Sequence, residues 1–341
     1  MAKDRRSREA ILNRMRPKIQ PAFFVCLLAI FLVVSVRPKA FSEETIRAAV
    51  PLFPLLGFPA FVAHERGFFQ KEGLRAELVR INSTPTTFQT LISGGVHLAV
   101  GAPGGLVTLN LQGIDVVAIG SWDNVMPYIL ATREPVNDIQ QLHGKRLGVN
   151  RPGSTPWLIM RVMLEDAGLT KDVKMMPLAG GSQERLAALK SGAIDAAPVS
   201  WALEPTLKKM GLYSFKGSRL PFITGAICVK KSYLQLHRST LRAFLKGLLE
   251  ASQYILTDKK GTLPILAQIL RSEDKEALEY VYDYMRANES PGLYPPEASI
   301  KNLLRMSAYD DPRAAALRAE AIVDFSLLEE LGQRSPQPAT R

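Results

Sequence analysis

LISGGVHLAV at residues 91–100 and LKSGAIDAAP at residues 189–198 carry the same pattern twice. Leu91, Ser93, Gly94, Val96, Ala99 and Gly113 return as Leu189, Ser191, Gly192, Ile194, Ala197 and Gly211, all at a constant offset of 98 residues. Each copy predicts an amphipathic helix, a Ser-Gly stop, a short apolar strand, a helix opening beside a Pro, and a Gly that frees the chain into another strand. One Ser-Gly stop is commonplace, because small residues end helices. An offset held from Leu91 to Gly113 is not. The period is too long for a solenoid, so it predicts two similar α/β lobes with a cleft between them.

Working outward from the repeat, residues 45–50 predict a strand ending at Pro51, residues 58–66 a helix stopped by Gly67, and residues 76–81 a second strand. Asn82-Ser83-Thr84-Pro85 opens a helix with two candidate caps and a Pro in its first turn. Residues 96–100 and 115–119 follow as strands, with the tight turn Gly101-Ala102-Pro103-Gly104-Gly105 after the first. In the second half, strands at 128–132 and 146–149 precede a helix at 157–167, and Gly180-Gly181-Ser182 and Pro198-Val199-Ser200-Trp201 each lead into a helix. Short strands alternating with helices mean mostly parallel sheets, which bind ligands at the carboxyl ends of their strands. Near residues 221–229 the chain is expected to cross back. Lobe one would then comprise 43–129 and 224–341 and lobe two 130–223, joined by two connections that favour a hinge. Residues 232–334 read as helices, with Leu241, Phe244, Leu245, Leu248 and Leu249 at helical spacing.

Composition fits a packed globular chain: 47% of the 341 residues are apolar and 22% charged. The net charge of +11 is concentrated at the front, where residues 1–40 hold nine Lys or Arg against two acids. The rest of the chain has a surplus of only four positive charges. With no basic cluster interleaved with aromatics there, nucleic acid is not an expected partner.

Those basic residues precede an apolar run at 22–36, too short for a membrane span of roughly 20 residues, and Ala40-Phe41-Ser42 offers small residues at a cut site. Residues 1–42 therefore read as a secretory signal cleaved after Ser42, or as an anchor if uncleaved. Only Cys228 would remain in the mature chain, a small apolar filler in a strand. No Cys/His cluster has metal-ligand spacing, so neither metal nor cofactor is implied.

The order Ala63-His64-Glu65-Arg66-Gly67-Phe68-Phe69, Gly73-Leu74, Ser93-Gly94, 144–149 (GKRLGV) and 191–197 (SGAIDAA) resembles the substrate-binding proteins of ABC importers for nitrate, sulfonates, taurine and thiamine precursors. The resemblance spans nearly the whole mature chain. It implies an α/β, two-lobed fold of the periplasmic-binding-protein type II kind, a monomer outside the cytoplasm. It also implies a small-molecule ligand handed to an ABC permease and its ATPase, with no catalysis. His97 stands where the family often has an acid. The fold also houses enzymes, and one acting in a biosynthetic pathway such as menaquinone synthesis remains the rival reading. The four His, His64, His97, His143 and His237, fall outside the strand-exit loops where a catalyst would be expected.

Candidate ligand contacts follow from the helix starts. Ser83-Thr84, Gly153-Ser154-Thr155 and Gly180-Gly181-Ser182 present hydroxyls and backbone N–H groups where a helix dipole favours an anion, and Arg151 is the expected countercharge. Each of these could equally be an ordinary cap. Trp122, Trp157, Trp201 and Phe58 lie just past strand ends and would supply apolar contact. Leu55, Gly57, Gly101, Ala102, Asn124, Ser200 and Thr224 complete the expected lining.

Overall fold

The structure, a computed structural model, describes residues 44–333 apart from 52–53, 82–83, 102–103, 123–127, 151, 153, 216–219, 289 and 291. The N-terminal basic and apolar segment, with the cut site expected at Ser42, lies outside the described residues. No helix among the described residues is long and apolar enough to cross a membrane.

The strands are β1 (Glu44–Pro51), β2 (Leu74–Ile81), β3 (Leu98–Gly101), β4 (Val116–Ser121), β5 (Tyr128–Thr132), β6 (Arg146–Val149), β7 (Lys174–Pro177), β8 (Ala196–Ser200), β9 (Tyr213–Phe215) and β10 (Ala226–Lys230). They form two five-stranded sheets, ordered β2-β1-β3-β10-β4 and β7-β6-β8-β5-β9. In each sheet the first three strands are parallel and the fourth runs antiparallel to its neighbours. That antiparallel strand is where the chain changes from one sheet to the other. β5 follows β4 in sequence yet pairs in the second sheet, and β10 follows β9 yet returns to the first.

The helices that matter below are α1 (Phe58–Glu65), α2 (Phe68–Lys71), α3 (Thr84–Ile92), α4 (Gly104–Leu111), α5 (Thr155–Asp166), α6 (Ser182–Ser191), α7 (Glu204–Lys209), α8 (Lys231–Leu236), α9 (Arg238–Thr257), α10 (Lys259–Leu270), α11 (Lys275–Asn288) and α12 (Glu297–Asp310). The repeat is visible in these bounds, since α3 and α6 begin 98 residues apart, as do β3 and β8. Gly113 and Gly211, which end the two copies, both take positive φ, 79° and 72°, a conformation that glycine adopts without a Cβ penalty.

β3, β4, β8 and β10 are buried almost throughout, as continuous apolar runs in covered sheets should be. Cys228 sits in β10 at 1% exposure, and burial pushes its thiol pKa up to about 12. It is an inert filler. α9 buries Leu241, Phe244, Leu245 and Leu248 while Leu249 is only half-buried. Phe244 stacks on Phe69 of α2 at 4.7 Å, and Gly247 permits that approach because a Cβ there would meet the Phe69 ring at 2.6 Å.

His97 and Asp195 prove to be the same structural position. Asp195 Oδ2 accepts the backbone N–H of Arg146 at 2.9 Å, and His97 Nδ1 accepts that of Arg47 at 3.1 Å. The imidazole does locally what the carboxylate does in the other lobe. Burial, then the Arg47 charge, lowers the His97 pKa and keeps that nitrogen an acceptor. Asp195 in addition pairs with the Arg146 guanidinium at 2.8 Å, and this hydrogen bonding lowers its pKa from 3.8 to about 2. A carboxylate with a depressed folded pKa contributes stability that is complete above the unfolded value and disappears as pH falls through the folded one. Asp195→Asn should therefore cost about 1–2 kcal/mol at pH 7, discounted for partial exposure. Urea titrations should show the deficit shrinking between about pH 4 and pH 2.

Candidate functional site

The carboxyl ends of β6, β7 and β8 meet the starts of α5 and α6 around a cavity of about 880 Å³. Asn150 follows β6, Leu178 follows β7, Ser200 ends β8, and Tyr128 opens the antiparallel β5 on the same edge. Gly180 takes a φ of +90°, the left-handed region, to turn the chain into α6.

At the wall of this cavity lies Arg185, 2% exposed. Its Nε donates to the Pro198 carbonyl at 2.7 Å, one Nη to Asn150 Oδ1 at 2.5 Å, and the other to Ser182 Oγ at 3.4 Å. All three acceptors are neutral, and among the described residues no carboxylate pairs with it. The adjacent Glu184 turns its carboxylate to the Gly181 N–H at 2.6 Å instead. Burial lowers the Arg185 pKa, against the opposing influence of Tyr128 and Glu184. Burial raises that of Tyr128, which stays a neutral phenol able to donate. A buried cation without an anion is costly, because neutral dipoles replace only part of its hydration. Asn150 is held in turn, its Nδ2 donating to the Gly180 carbonyl at 2.7 Å.

The two serines that could have been ordinary helix caps are not caps. Ser154 occupies the cap position of α5 but makes no capping bond, and its buried Oγ has no hydrogen-bond partner. Ser182 stands one residue inside α6, where its Oγ accepts the Ser200 N–H at 3.0 Å. Ser154, Ser182, Ser200, Tyr128 and Arg185 thus converge on one space.

A second cavity of about 760 Å³ adjoins it, and Leu56 and Tyr128 line both. Its walls are mainly apolar: Phe88 and Ile92 from α3, Val107 and Leu111 from α4, Leu158 from α5, Phe222, and Leu303 and Met306 from α12. Thr155 and Thr224 line it too.

Of the residues expected from sequence, Ser154, Ser182 and Ser200 line the first cavity and Thr155 and Thr224 the second. Thr84 begins α3. Leu55, Gly57, Phe58, Gly101, Trp122, Trp157 and Trp201 line neither. Phe58 is 1% and Trp122 2% exposed in the core. Trp157 packs edge-on against Tyr309 of α12, and Trp201 stacks on Tyr284 of α11. Ser83, Ala102, Asn124, Arg151 and Gly153 lie outside the described residues. Sequence reasoning missed Arg185, Tyr128, Asn150 and Leu56. Arg185 carried a usable signal, since it stands three residues after Ser182 and so shares its helix face.

The NMT1/THI5 like family model matches residues 58–261, more than half of the chain. The chain belongs to this family. In sequence, the Bacillus subtilis (strain 168) protein named "Putative binding protein YtlA" is 23% identical over 253 residues, 68% of this chain and 73% of that protein. Among solved structures, the periplasmic aliphatic sulphonate binding protein SsuA from Escherichia coli superposes with a TM-score of 0.65 at 16% identity, covering 88% of this chain and 94% of that one. The periplasmic nitrate-binding protein NrtA from Synechocystis PCC 6803 gives 0.57 at 15%, covering 87% and 90%. These likenesses establish the fold, the two-sheet α/β architecture of periplasmic binding proteins.

Proposed function

We propose that the chain is the extracytoplasmic solute-binding component of an ABC importer, holding a small organic anion at Arg185 and passing it to a membrane permease. The carrying observation is the buried guanidinium with only neutral acceptors around it, at the strand ends where this fold places ligands. A bound carboxylate or sulfonate would supply the missing charge, with Ser154 Oγ and the Tyr128 phenol as further partners. The names of the family's solved relatives support transport over catalysis. So does the chemistry of the wall, since among the described residues no His lines either cavity to activate its serines.

Capture proceeds by hinge closure. The β2-β1-β3-β10-β4 sheet with its helices forms one lobe and the β7-β6-β8-β5-β9 sheet with its helices the other, and β5 and β10, at which the chain changes sheets, act as hinge strands. Only the closed form touches the ligand from both sides, so ligand shifts the population towards closure. Export by the N-terminal segment delivers the protein to that compartment.

A thermal-shift screen of the purified protein against sulfonates, carboxylates, nitrate, pyrimidines and aromatic acids tests this reading. Ligand at about 100 times its Kd adds roughly 2.7 kcal/mol of stability. The expected hits are organic anions recovered unchanged; conversion of a hit to product would overturn the binding reading. Ser154→Ala should weaken a hit about 3–10-fold by isothermal titration calorimetry and leave the unliganded melting curve within error. The hydroxyl makes no intramolecular bond to lose.

A further inference from the structure

The segment that carries α12 is tied to the first sheet on both sides of that helix. Ahead of it, the Ser121 N–H at the end of β4 donates to the Leu293 carbonyl at 2.8 Å, and the Ser290 N–H donates to the Trp122 carbonyl at 2.8 Å. Beyond it, the Asp324 N–H donates to the Ala118 carbonyl of β4 at 2.9 Å. Leu293 is fully buried with a φ of +55°, a conformation that a residue bearing a Cβ keeps only where its surroundings fix it. The helix nevertheless reaches across to α5, which issues from β6 of the second sheet and buries Ile159, Val162 and Met163.

Arg305 makes that contact. One Nη donates to Asp166 Oδ1 at 2.7 Å and the other to Glu165 Oε2 at 2.9 Å. The Tyr309 hydroxyl donates to the same Glu165 oxygen, and Arg161 Nε donates to the other at 3.2 Å. Two cations thus balance two carboxylates across the join between α12 and α5. Arg305 and Glu165 are half-buried, and Arg305 lines neither cavity, so it is not placed to touch a ligand.

We propose that this cluster is a clasp: Arg305 is a positioning residue that holds the two sheets in the closed arrangement before any ligand arrives. The proposal rests on the hinge-closure reading given above and adds what opposes opening. α12 moves with β4 and α5 moves with β6, so rotating one sheet against the other parts Arg305 from Glu165 and Asp166 together. An isolated surface pair contributes little, but a guanidinium shared by two carboxylates is an ordered, charge-assisted network. A ligand then meets a protein already biased towards the form that encloses it.

Distances between nitroxide labels at Arg75→Cys in β2 and Lys190→Cys in α6, both exposed positions, measured by pulsed electron resonance on the ligand-free full chain, test this. A Cys26→Ser background leaves only the buried Cys228, which does not compete for label. Arg305→Gln should raise the ratio of the longer, open distance to the shorter one at least about threefold. Asp166→Asn should move it the same way by less, and Arg305→Glu, repelled by both carboxylates, by more. Added salt should open the parent and leave Arg305→Gln unchanged, because screening weakens only a pair that exists. A lower urea midpoint in Arg305→Gln with an unchanged distance ratio would overturn the clasp and make Arg305 a packing residue. An unchanged ratio with an unchanged midpoint would overturn it too. In either case a longer distance in the parent or in Arg305→Glu would keep the hinge, whereas one fixed distance in every variant would remove the hinge-closure reading as well.

Discussion

Arg185→Gln is expected to weaken an anionic ligand about 30-fold or more while changing the stability of the unliganded protein by no more than about 1 kcal/mol. The two halves of this expectation have different causes. Truncating one side of a buried, hydrogen-bonded charge pair costs about 2–5 kcal/mol of affinity, which is a factor of roughly 30 to several thousand. In the unliganded protein the balance differs, because the guanidinium is buried against the Pro198 carbonyl, Asn150 and Ser182, with no opposing carboxylate among the described residues. Removing it relieves the desolvation of a cation and releases three neutral acceptors, effects of opposite sign. Arg185→Lys should fall in between, since an ammonium keeps the charge but loses the planar fork. Calorimetry for affinity and urea unfolding for stability check the two halves separately. A variant that loses stability and affinity together would mean that Arg185 is a structural residue.

Trp201→Ala should give the opposite pattern. Its ring lies parallel to that of Tyr284 in α11, with centroids 3.9 Å apart and planes 6° from parallel, and it is 4% exposed. Beside it, the Tyr280 hydroxyl donates to Glu204 at the start of α7, so this corner fastens α11 to the second sheet. Truncating a large aromatic in such a site costs about 3–5 kcal/mol. Ligand affinity, measured where the variant is still folded, should stay within about threefold of the parent, because the ring lines neither cavity.

Trp201 and Arg185 also show what could be read from the sequence. The constant offset located both sheets, because a duplicated pattern of helix stop and apolar strand is a backbone property written in small and branched residues. β5 and β6 were expected at 128–132 and 146–149, where they lie. β7 and β9 were missed: they are short, at the sheet edge and partly exposed, with little apolar periodicity. The site was harder for a different reason. A residue past a strand end can face the cleft or seat a later helix, and Trp157 and Trp201 pack against Tyr309 of α12 and Tyr284 of α11, both more than 80 residues further along the chain. Ser182 was placed at a helix start, and the helical period would have carried Arg185 with it. A charged residue one turn into a helix nevertheless looks the same in sequence whether it is solvated or buried.

The matched span of the family model, residues 58–261, contains Tyr128, Asn150, Ser154, Ser182 and Arg185, but it ends before α12. The second cavity takes Phe88, Val107, Leu158 and Phe222 from within that span and Leu303 and Met306 from α12 beyond it. Exchanging the single helix from Glu297 to Asp310, while keeping the Arg305 contacts to Glu165 and Asp166 that dock it on α5, should reshape that side of the second cavity and leave Arg185 and its partners in place. On the reading proposed for Arg185, the residues that would meet a charge sit inside the stretch this chain shares with its family, while one side of the neighbouring cavity is supplied by a helix outside that stretch.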